Sequence, residues 1–366
     1  MPSADVRLAL QENVSMAAFS TLGVGGPARW FVRATDAAQV AAACRWGEDH
    51  RVPLFTLGGG SNIVVADSGF PGLVVQVALR GLTFADEGGD TVVMAGAGEP
   101  WDPVVQSTVD RGLAGLECLS GIPGSVGGTP IQNVGAYGQE VADTIERLTV
   151  YDRRTGAMQN MTAGECRFSY RMSRFKAEDV ERFVVCDVSF RLRRGAPAPA
   201  YPDVLNQLER SAVTSPTVSD VRQAVLSVRR RKGMVIDRAD PDTRSVGSFF
   251  MNPVVIAADL GRLTSTAGSE PPAFTMADGR IKIPAAWLIE RAGFRRGEPG
   301  GPAGISGKHT LALVNRGGAA ARDVLELAVR IKRQVADRFG VWLRPEPVFV
   351  GFDADPDVEF LRTTER

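Results

Sequence analysis

The stretch that decides the fold is Leu57-Gly58-Gly59-Gly60-Ser61-Asn62, and its character is repeated by a second glycine-rich stretch, Ser120-Gly121-Ile122-Pro123-Gly124-Ser125-Val126-Gly127-Gly128. Consecutive glycines let the backbone take positive φ and approach a ligand closely, and successive N–H groups can then hold phosphate. Pro123 suits the first position of a helical turn, whose unpaired N–H groups favour an anion. A tight turn without a ligand explains one such loop equally well, but two loops fit a ligand with two linked phosphates better. We therefore predict a dinucleotide-type cofactor.

The two glycine loops do not match the common nucleotide-binding fingerprints. No G-x-G-x-x-G motif follows a predicted strand with an acidic residue about twenty positions later, as a Rossmann site requires. No Lys-Ser or Lys-Thr pair closes either glycine run, as a P-loop requires. These absences argue against an ordinary NAD dehydrogenase and against an NTPase.

Charge and cysteine content exclude several other classes. Lys and Arg number 42, as do Asp and Glu, so nothing steers the whole chain toward nucleic acid or an anionic membrane. The four cysteines (Cys44, Cys118, Cys166 and Cys186) lie far apart and only two histidines occur, so we expect buried free thiols and no metal site. Neither a signal-peptide pattern nor a bilayer-spanning apolar run occurs, which favours a cytoplasmic protein. We expect it to be a monomer.

Apolar periodicity predicts the secondary structure. Strands are predicted at 29–32, 53–57, 72–77, 91–95, 148–151 and 183–192. Asp36 is typical of a helix N-cap. Amphipathic helices are predicted at 218–232 and 320–339, the second ending at Gly340. Residues 193–200 are rich in Pro, Gly and Ala, which is typical of a linker between two domains.

A third motif gives the chain a family resemblance. The motif Asn133-Val134-Gly135-Ala136-Tyr137-Gly138, taken with the two glycine loops, resembles the FAD-binding domain shared with p-cresol methylhydroxylase and vanillyl-alcohol oxidase. The order of motifs, from about Ser20 to Glu346, is similar more specifically to the UDP-N-acetylenolpyruvoylglucosamine reductase family. The resemblance implies an α+β fold, with a two-part FAD-binding region of the p-cresol methylhydroxylase type and a C-terminal α+β substrate-binding domain.

The resemblance also implies domain boundaries. Residues 1–195 would form the FAD-binding region as two α+β subdomains, divided near residue 75. Residues 196–345 would form the substrate-binding domain. Residues 346–366 would be a C-terminal segment that returns to the FAD-binding region.

Cofactor and co-substrate follow from the same resemblance. FAD would bind non-covalently, which agrees with the absence of histidine from the glycine loops, and NADPH would be the co-substrate. The family reduces UDP-N-acetylglucosamine enolpyruvate to UDP-N-acetylmuramate in peptidoglycan biosynthesis. The cofactor-binding residues implied by the motifs are Leu57, Gly58, Gly59, Gly60, Ser61, Asn62, Gly121, Ile122, Pro123, Gly124, Ser125, Gly127, Gly128, Gly135 and Tyr137.

Three further motifs, at 170–176, 247–253 and 344–349, contain the residues that the resemblance makes catalytic. Arg171 would lie near the substrate carboxylate, for which a planar guanidinium is a suitable partner. Ser248 would give a proton to the substrate carbon after hydride arrives. Glu346 would stabilise the enol intermediate, from backbone stiffened by a proline on either side. A surface salt bridge, a turn hydroxyl and a strand-edge glutamate are the respective alternatives without a role.

Other positions match family residues that bind the substrate. They are Tyr170, Tyr201, Arg229, Lys232 and Asn252. Tyr201 would place the chain with the family type that carries a mobile tyrosine loop, and Lys232 would hold or close over the substrate diphosphate. The basic run 229–232 is explained equally well as a solvated helix end. Val348 is a departure, because the family's best-known member has an arginine at this place.

Two other functional classes remain open from the sequence. A different flavin oxidase of the same fold would reduce oxygen quickly and ignore the enolpyruvyl nucleotide. A catalytically inactive nucleotide-sugar binder should lack at least one of Arg171, Ser248 and Glu346, and all three are present.

Overall fold

The computed structural model describes residues 6–276 and 278–364. The chain divides into two units, each discontinuous in sequence. The described residues of the first unit fall within Met1–Val14, Ala28–Gly60 and Pro71–Val235. Those of the second unit fall within Ser15–Pro27, Ser61–Phe70 and Ile236–Arg366.

The helices and strands of the described residues are as follows. The α-helices are α1 (Ala37–Asp49), α2 (Trp101–Val109), α3 (Pro202–Arg210), α4 (Val218–Arg231), α5 (Ala257–Ala267), α6 (Ala285–Arg291), α7 (Ala321–Phe339) and α8 (Pro356–Arg362). The strands of the first half are β1 (Gln11–Ser15), β2 (Pro27–Ala34), β3 (Leu54–Leu57), β4 (Ile63–Val65), β5 (Phe70–Val77), β6 (Leu82–Glu87), β7 (Asp90–Gly96), β8 (Leu113–Ala114), β9 (Gly135–Ala136) and β10 (Gln139–Glu140). The remaining strands are β11 (Ile145–Asp152), β12 (Ala157–Thr162), β13 (Phe183–Arg194), β14 (Ser245–Ser248), β15 (Val254–Val255), β16 (Phe274–Thr275), β17 (Ile281–Lys282), β18 (Ala303–Ile305), β19 (Ala312–Asn315) and β20 (Val348–Val350).

The first unit is built on two larger sheets. One has the order β1-β2-β5-β3, and its helix α1 begins after Asp36, whose carboxylate accepts the N–H of Gln39 at 2.8 Å as the capping pattern predicts. The other has the order β12-β11-β13-β7-β6, with β8 paired to β13. One apolar core, which includes the fully buried side chains of Val75, Trp101 and Phe190, is shared by both sheets. The change of sheet falls between β5 and β6, close to the division predicted near residue 75.

Helices α3 and α4 belong to the first unit, so the predicted linker at 193–200 does not separate the two units. Strand β13 continues to Arg194, and the boundary lies after Val235. The physical reason is burial: α3 and α4 pack Val204, Leu208 and Val221 into an apolar cluster of the first unit. An apolar stripe predicts that a helix is buried, but it does not identify the surface that covers it.

The second unit contains three small sheets and the long helix α7. The strand orders are β14-β19-β18, β15-β17-β16 and β20-β4. Helix α7 ends at Gly340, which has φ +65° as the predicted C-terminal glycine should. The C-terminal segment returns to the first half of the sequence through parallel pairing of β20 with β4, a strand that itself belongs to the second unit.

The predicted strands at 29–32, 53–57, 72–77, 91–95, 148–151 and 183–192 are all found, within one or two residues or as parts of longer strands. In the sheet β12-β11-β13-β7-β6, strands β6 and β12 have no counterpart among the predictions, because they lie at its edges and most of their side chains are exposed. The other strands without a counterpart have two to five residues, too few to show a periodic pattern. The four cysteines are buried and free, as predicted. Burial raises the pKa of the Cys118, Cys166 and Cys186 thiols to about 12, so these are unreactive thiols.

Candidate active site

The glycines of the first loop meet the second loop within the first unit. A Cβ placed on Gly59 would lie 2.6 Å from the Cα of Gly124, and one on Gly58 would lie 2.7 Å from the Oγ of Ser125. A side chain at Gly59 would therefore collide with backbone. The glycines are required because the backbones of the two loops are in contact. From the sequence we predicted that both loops bind the same ligand, but not that they touch each other.

The second loop is shaped differently from the expectation. Pro123 lies in irregular backbone, and the helical turn is a short 3₁₀ segment, Val126–Gly128, that begins three residues later. The reason lies in two backbone hydrogen bonds: the Trp101 N–H donates to the Gly124 carbonyl, and the Val126 N–H donates to the Glu99 carbonyl. Together they form a β-bridge that ties the loop to the start of α2. The expectation that Pro123 opens a helical turn is wrong.

The buried polar groups of this cradle fit an anionic cofactor. The hydroxyl of Ser125 is buried and has no hydrogen-bond partner among the described residues. A buried hydroxyl without a partner is costly, so a ligand oxygen that accepts its hydrogen bond would be stabilising. Gly127 packs its backbone against Ala97, where a Cβ would lie 2.6 Å from the Ala97 Cβ. The cradle thus has the close backbone and the unpaired donor that the diphosphate of FAD needs.

The segment of the third motif is anchored by Arg171. One Nη of Arg171 donates to the carbonyl oxygen of Gly135 at 2.5 Å and the other to that of Asn133 at 3.4 Å. Asn133, Tyr137 and Arg171 all have positive φ, at +47°, +50° and +55°. Positive φ is uncommon for residues with a side chain, so the backbone turns sharply at these three positions. The motif around Arg171 and the motif around Gly135 are therefore one local structure.

Tyr137 lies in a cluster with three of the predicted substrate-binding residues. Its ring contacts that of Tyr201 edge-to-face, with 5.4 Å between centroids, and the Lys232 Nζ lies 5.9 Å from the Tyr137 centroid. Lys232 also pairs with Asp203 at 2.7 Å. The Tyr137 hydroxyl interacts with Arg229, and burial raises the pKa of Tyr137 while lowering that of Arg229. The cluster combines two cations with two amphipathic rings, which suits a phosphorylated ligand.

Arg229 occupies an unexpected position within this cluster. Its side chain is 7% exposed and donates to the carbonyl oxygen of Met234 at 2.8 Å. The basic run therefore contains both buried and exposed residues. Arg229 is buried, whereas Arg230 and Arg231 are exposed, as the residues of a solvated helix end would be. A direct contact of Arg229 with substrate stays a prediction.

Ser248 and Glu346 are brought close together in the second unit. Ser248 ends strand β14, after Gly247 with φ +75°, and is half-buried. The next residue, Phe249, accepts the N–H of Glu346 through its carbonyl oxygen at 2.8 Å. The side chain of Asn62 donates to the Glu346 carbonyl at 3.2 Å. The backbone of Glu346 is therefore held on both sides, as the flanking prolines indicate.

Other predicted site residues have more ordinary surroundings. The carbonyl oxygen of the Asn252 side chain accepts the N–H of Ala285 at the start of α6, which fixes the position of the amide group. Tyr170 lies under the guanidinium of Arg171, 5.4 Å from the ring centroid. Val348 is 40% exposed, and its backbone N–H donates to Asn62.

Comparison with known proteins identifies the family. The family described as UDP-N-acetylenolpyruvoylglucosamine reductase, C-terminal domain, matches residues 240–350, and the FAD binding domain family matches residues 28–162. The UDP-N-acetylenolpyruvoylglucosamine reductase of Thermobifida fusca is 50% identical over 349 residues, which cover 93% of this chain and 97% of that protein. The chain belongs to the UDP-N-acetylenolpyruvoylglucosamine reductase family.

Further members of this family support the assignment. The reductase of Mycobacterium marinum is 44% identical over 352 residues, covering 93% of this chain and 95% of that protein. The crystal structure of UDP-N-acetylenolpyruvylglucosamine reductase from Thermus caldophilus superimposes with a TM-score of 0.63 at 27% identity, covering 94% of this chain and 99% of that one. The predicted α+β fold, with an FAD-binding region and the C-terminal domain of this reductase family, is confirmed. Among the described residues, no helix has the length and apolar character to cross a bilayer.

Replacing Gly59 by alanine should weaken FAD binding by about 10-fold or more, because the new Cβ collides with the backbone of Gly124 and opens the cradle. Forcing an extra methyl into packed structure costs about 1–3 kcal/mol, and each 1.4 kcal/mol is tenfold in affinity. The FAD dissociation constant, measured by flavin fluorescence quenching, checks this. Gly26→Ala is the control, because its Cβ would collide with the Asp67 backbone in the second unit. It should lower the melting temperature without weakening FAD, and an unchanged FAD affinity in Gly59→Ala would contradict the prediction.

Proposed function

We propose that this chain uses NADPH to reduce UDP-N-acetylglucosamine enolpyruvate to UDP-N-acetylmuramate through non-covalently bound FAD, in peptidoglycan biosynthesis. The observation that carries the proposal is the meeting of two glycine loops around an unpartnered Ser125 hydroxyl, in a chain of this reductase family. Residues of both loops and of the segment 133–137 hold the cofactor, including Ser61 and Asn62 at the end of the first loop.

When bound, FAD would supply the redox chemistry, which is the transfer of a hydride from NADPH to the methylene carbon of the substrate. Arg171 pairs with the substrate carboxylate through a guanidinium whose orientation is fixed by two carbonyl oxygens. Glu346 acts with Arg171 to stabilise the enol formed as the hydride arrives. Ser248 then gives its hydroxyl proton to the neighbouring carbon, which completes the reduction, and the serine oxygen regains a proton from solvent before the next turnover.

The substrate is held by the remaining predicted residues. Lys232 and Tyr201 bind the diphosphate from the cluster around Tyr137, and Tyr201, which is 37% exposed, belongs to a loop that closes over it. Arg229 supports this cluster from within. Tyr170 and Asn252 complete the binding residues.

We place the protein in the cytoplasm, because both of its substrates, NADPH and the nucleotide sugar, are small soluble molecules. We expect it to act as a monomer. Its balanced charge gives no reason for a nucleic-acid or membrane partner.

The proposal is tested by following the flavin absorbance of the purified protein without oxygen. We expect a yellow protein whose flavin is released by heat, is bleached by NADPH and is re-oxidised when the enolpyruvyl substrate is added. Re-oxidation by oxygen but not by the substrate would indicate a different flavin oxidase of this fold. Substrate binding without any reduction would indicate an inactive nucleotide-sugar binder. A colourless protein that cannot be reconstituted with FAD would overturn the enzyme assignment.

A further inference from the structure

The first two residues of α2 hold the second glycine loop at two points and the residue before the loop at a third. The Trp101 indole N–H donates to the Leu119 carbonyl at 3.0 Å, and the Trp101 backbone N–H donates to the Gly124 carbonyl at 3.0 Å. Between these points the Asp102 carboxylate accepts the N–H of Gly121 at 2.6 Å. Gly121 has φ +71° and opens the loop, so this bond fixes the direction in which the loop leaves the preceding turn.

A buried arginine holds the Asp102 carboxylate in place. Both Nη atoms of Arg222 reach its two oxygens, at 2.7 and 2.9 Å, and the Arg222 Nε donates to the Gln106 side chain at 2.6 Å. Arg222 is 5% exposed, and a buried charge needs a partner of opposite charge, which the Asp102 carboxylate provides. Burial would raise the pKa of Asp102, but the bonds from Arg222 and Gly121 outweigh it and the pKa is lowered. The carboxylate therefore stays charged, and a charged acceptor makes a stronger bond to the Gly121 N–H.

Helix α4 reaches the same loop a second time. Arg229 follows Arg222 by seven residues, which places both on one face of the helix. The Nε of Arg229 lies 3.5 Å from where a Cβ of Gly121 would be, and Leu226, between the two arginines, lies 2.8 Å from it. The face of α4 that carries Arg222, Leu226 and Arg229 thus backs the start of the loop.

We infer that Asp102, clamped by Arg222, is a positioning residue that sets the second glycine loop for the FAD diphosphate. Neither residue belongs to a glycine motif, and they lie 120 positions apart in the sequence, so no local pattern links them. The inference rests on the proposed function, because it takes FAD as the occupant of the cradle. It extends the cofactor site to α4, the helix that ends in the basic run 229–232.

The test is the rate at which FAD leaves the holoenzyme after dilution, followed by the recovery of flavin fluorescence. Asp102→Asn and Arg222→Gln should each speed release by about 10-fold, the scale of a lost charge-assisted hydrogen bond. Arg222→Lys keeps the charge but loses the two-pronged geometry, and it should give a smaller increase while the protein stays folded. The KM for NADPH should change little in all three variants.

Asp152→Asn is the matched control. Asp152 is 1% exposed, binds the Arg182 guanidinium at 2.7 Å and accepts the N–H of Arg154 at 2.9 Å, within the same unit. It should lower the melting temperature as Asp102→Asn does, yet leave FAD release within about twofold of the starting protein, because it supports no glycine loop.

Two results would overturn the inference. One is an unchanged rate of FAD release in Asp102→Asn and Arg222→Lys, and the other is an equal increase in Asp152→Asn, which would reduce the effect to general destabilisation. A starting protein that binds no FAD would instead remove the proposed function itself, so the two failures are distinguishable.

Discussion

Replacing Ser248 by alanine should slow the reduction of the enolpyruvyl substrate by about 100-fold or more, the usual scale for a lost proton donor. Ser248 stands at the end of β14, one residue before the bond that joins Phe249 to Glu346. Alanine keeps the paired backbone of the strand and removes only the hydroxyl. The rate at which NADPH reduces the flavin should stay nearly unchanged, since that half-reaction needs no proton from Ser248. Stopped-flow absorbance of the flavin measures the two half-reactions separately.

The control for this variant is Ser265→Ala. Ser265 lies on α5 of the second unit, and its hydroxyl donates to the Gly261 carbonyl within that helix. It should leave both half-reactions as they are. An equal loss in the two half-reactions of Ser248→Ala would contradict the role of proton donor, because it would indicate a general change in cofactor binding.

The cofactor loops are the part of the site that the sequence predicts best. Consecutive glycines allow a close backbone approach or a positive φ, and both occur. Gly59 lies against the backbone of Gly124, and Gly60 and Gly121 have positive φ. Helices α4 and α7 are predicted for the same kind of reason, since an apolar stripe of helical period is a local property. Features that depend only on a short stretch of sequence, such as these loops and helices, can thus be predicted from that stretch.

Long-range pairing is the part that could not be predicted. The pattern of α4 indicates a buried face, but the partner of Arg222 is Asp102, which no feature of either segment identifies. The same limit applies to Tyr137, predicted as a cofactor residue, which contacts the predicted substrate residues Tyr201 and Lys232. The observed domain boundary differs from the predicted one for the same reason. The Pro- and Ala-rich segment after Arg194 resembles a linker, but the helices beyond it pack onto the first unit.

Replacing Glu346 by alanine should slow the same half-reaction by about 100- to 1,000-fold, the scale found when one group that stabilises a developing charge is removed. The fold should tolerate the change. The bond from its backbone N–H to Phe249 and the bond from Asn62 to its carbonyl do not need the carboxyl group, so both are kept in the variant. Flavin reduction by NADPH should again be nearly unchanged. The stopped-flow measurement used for Ser248 gives the rate.

Glu346→Gln separates two ways in which the carboxyl group could act. Its amide can accept or donate a hydrogen bond at the enol, but it carries no charge and cannot exchange a proton at neutral pH. A rate near that of the starting protein would therefore indicate hydrogen bonding, while a loss equal to that of Glu346→Ala would indicate charge or proton transfer. Glu326→Gln, on the exposed face of α7, is the control and should change neither half-reaction. If Glu346→Ala reduced the substrate at the starting rate, Glu346 would be a strand-edge glutamate with no part in the chemistry.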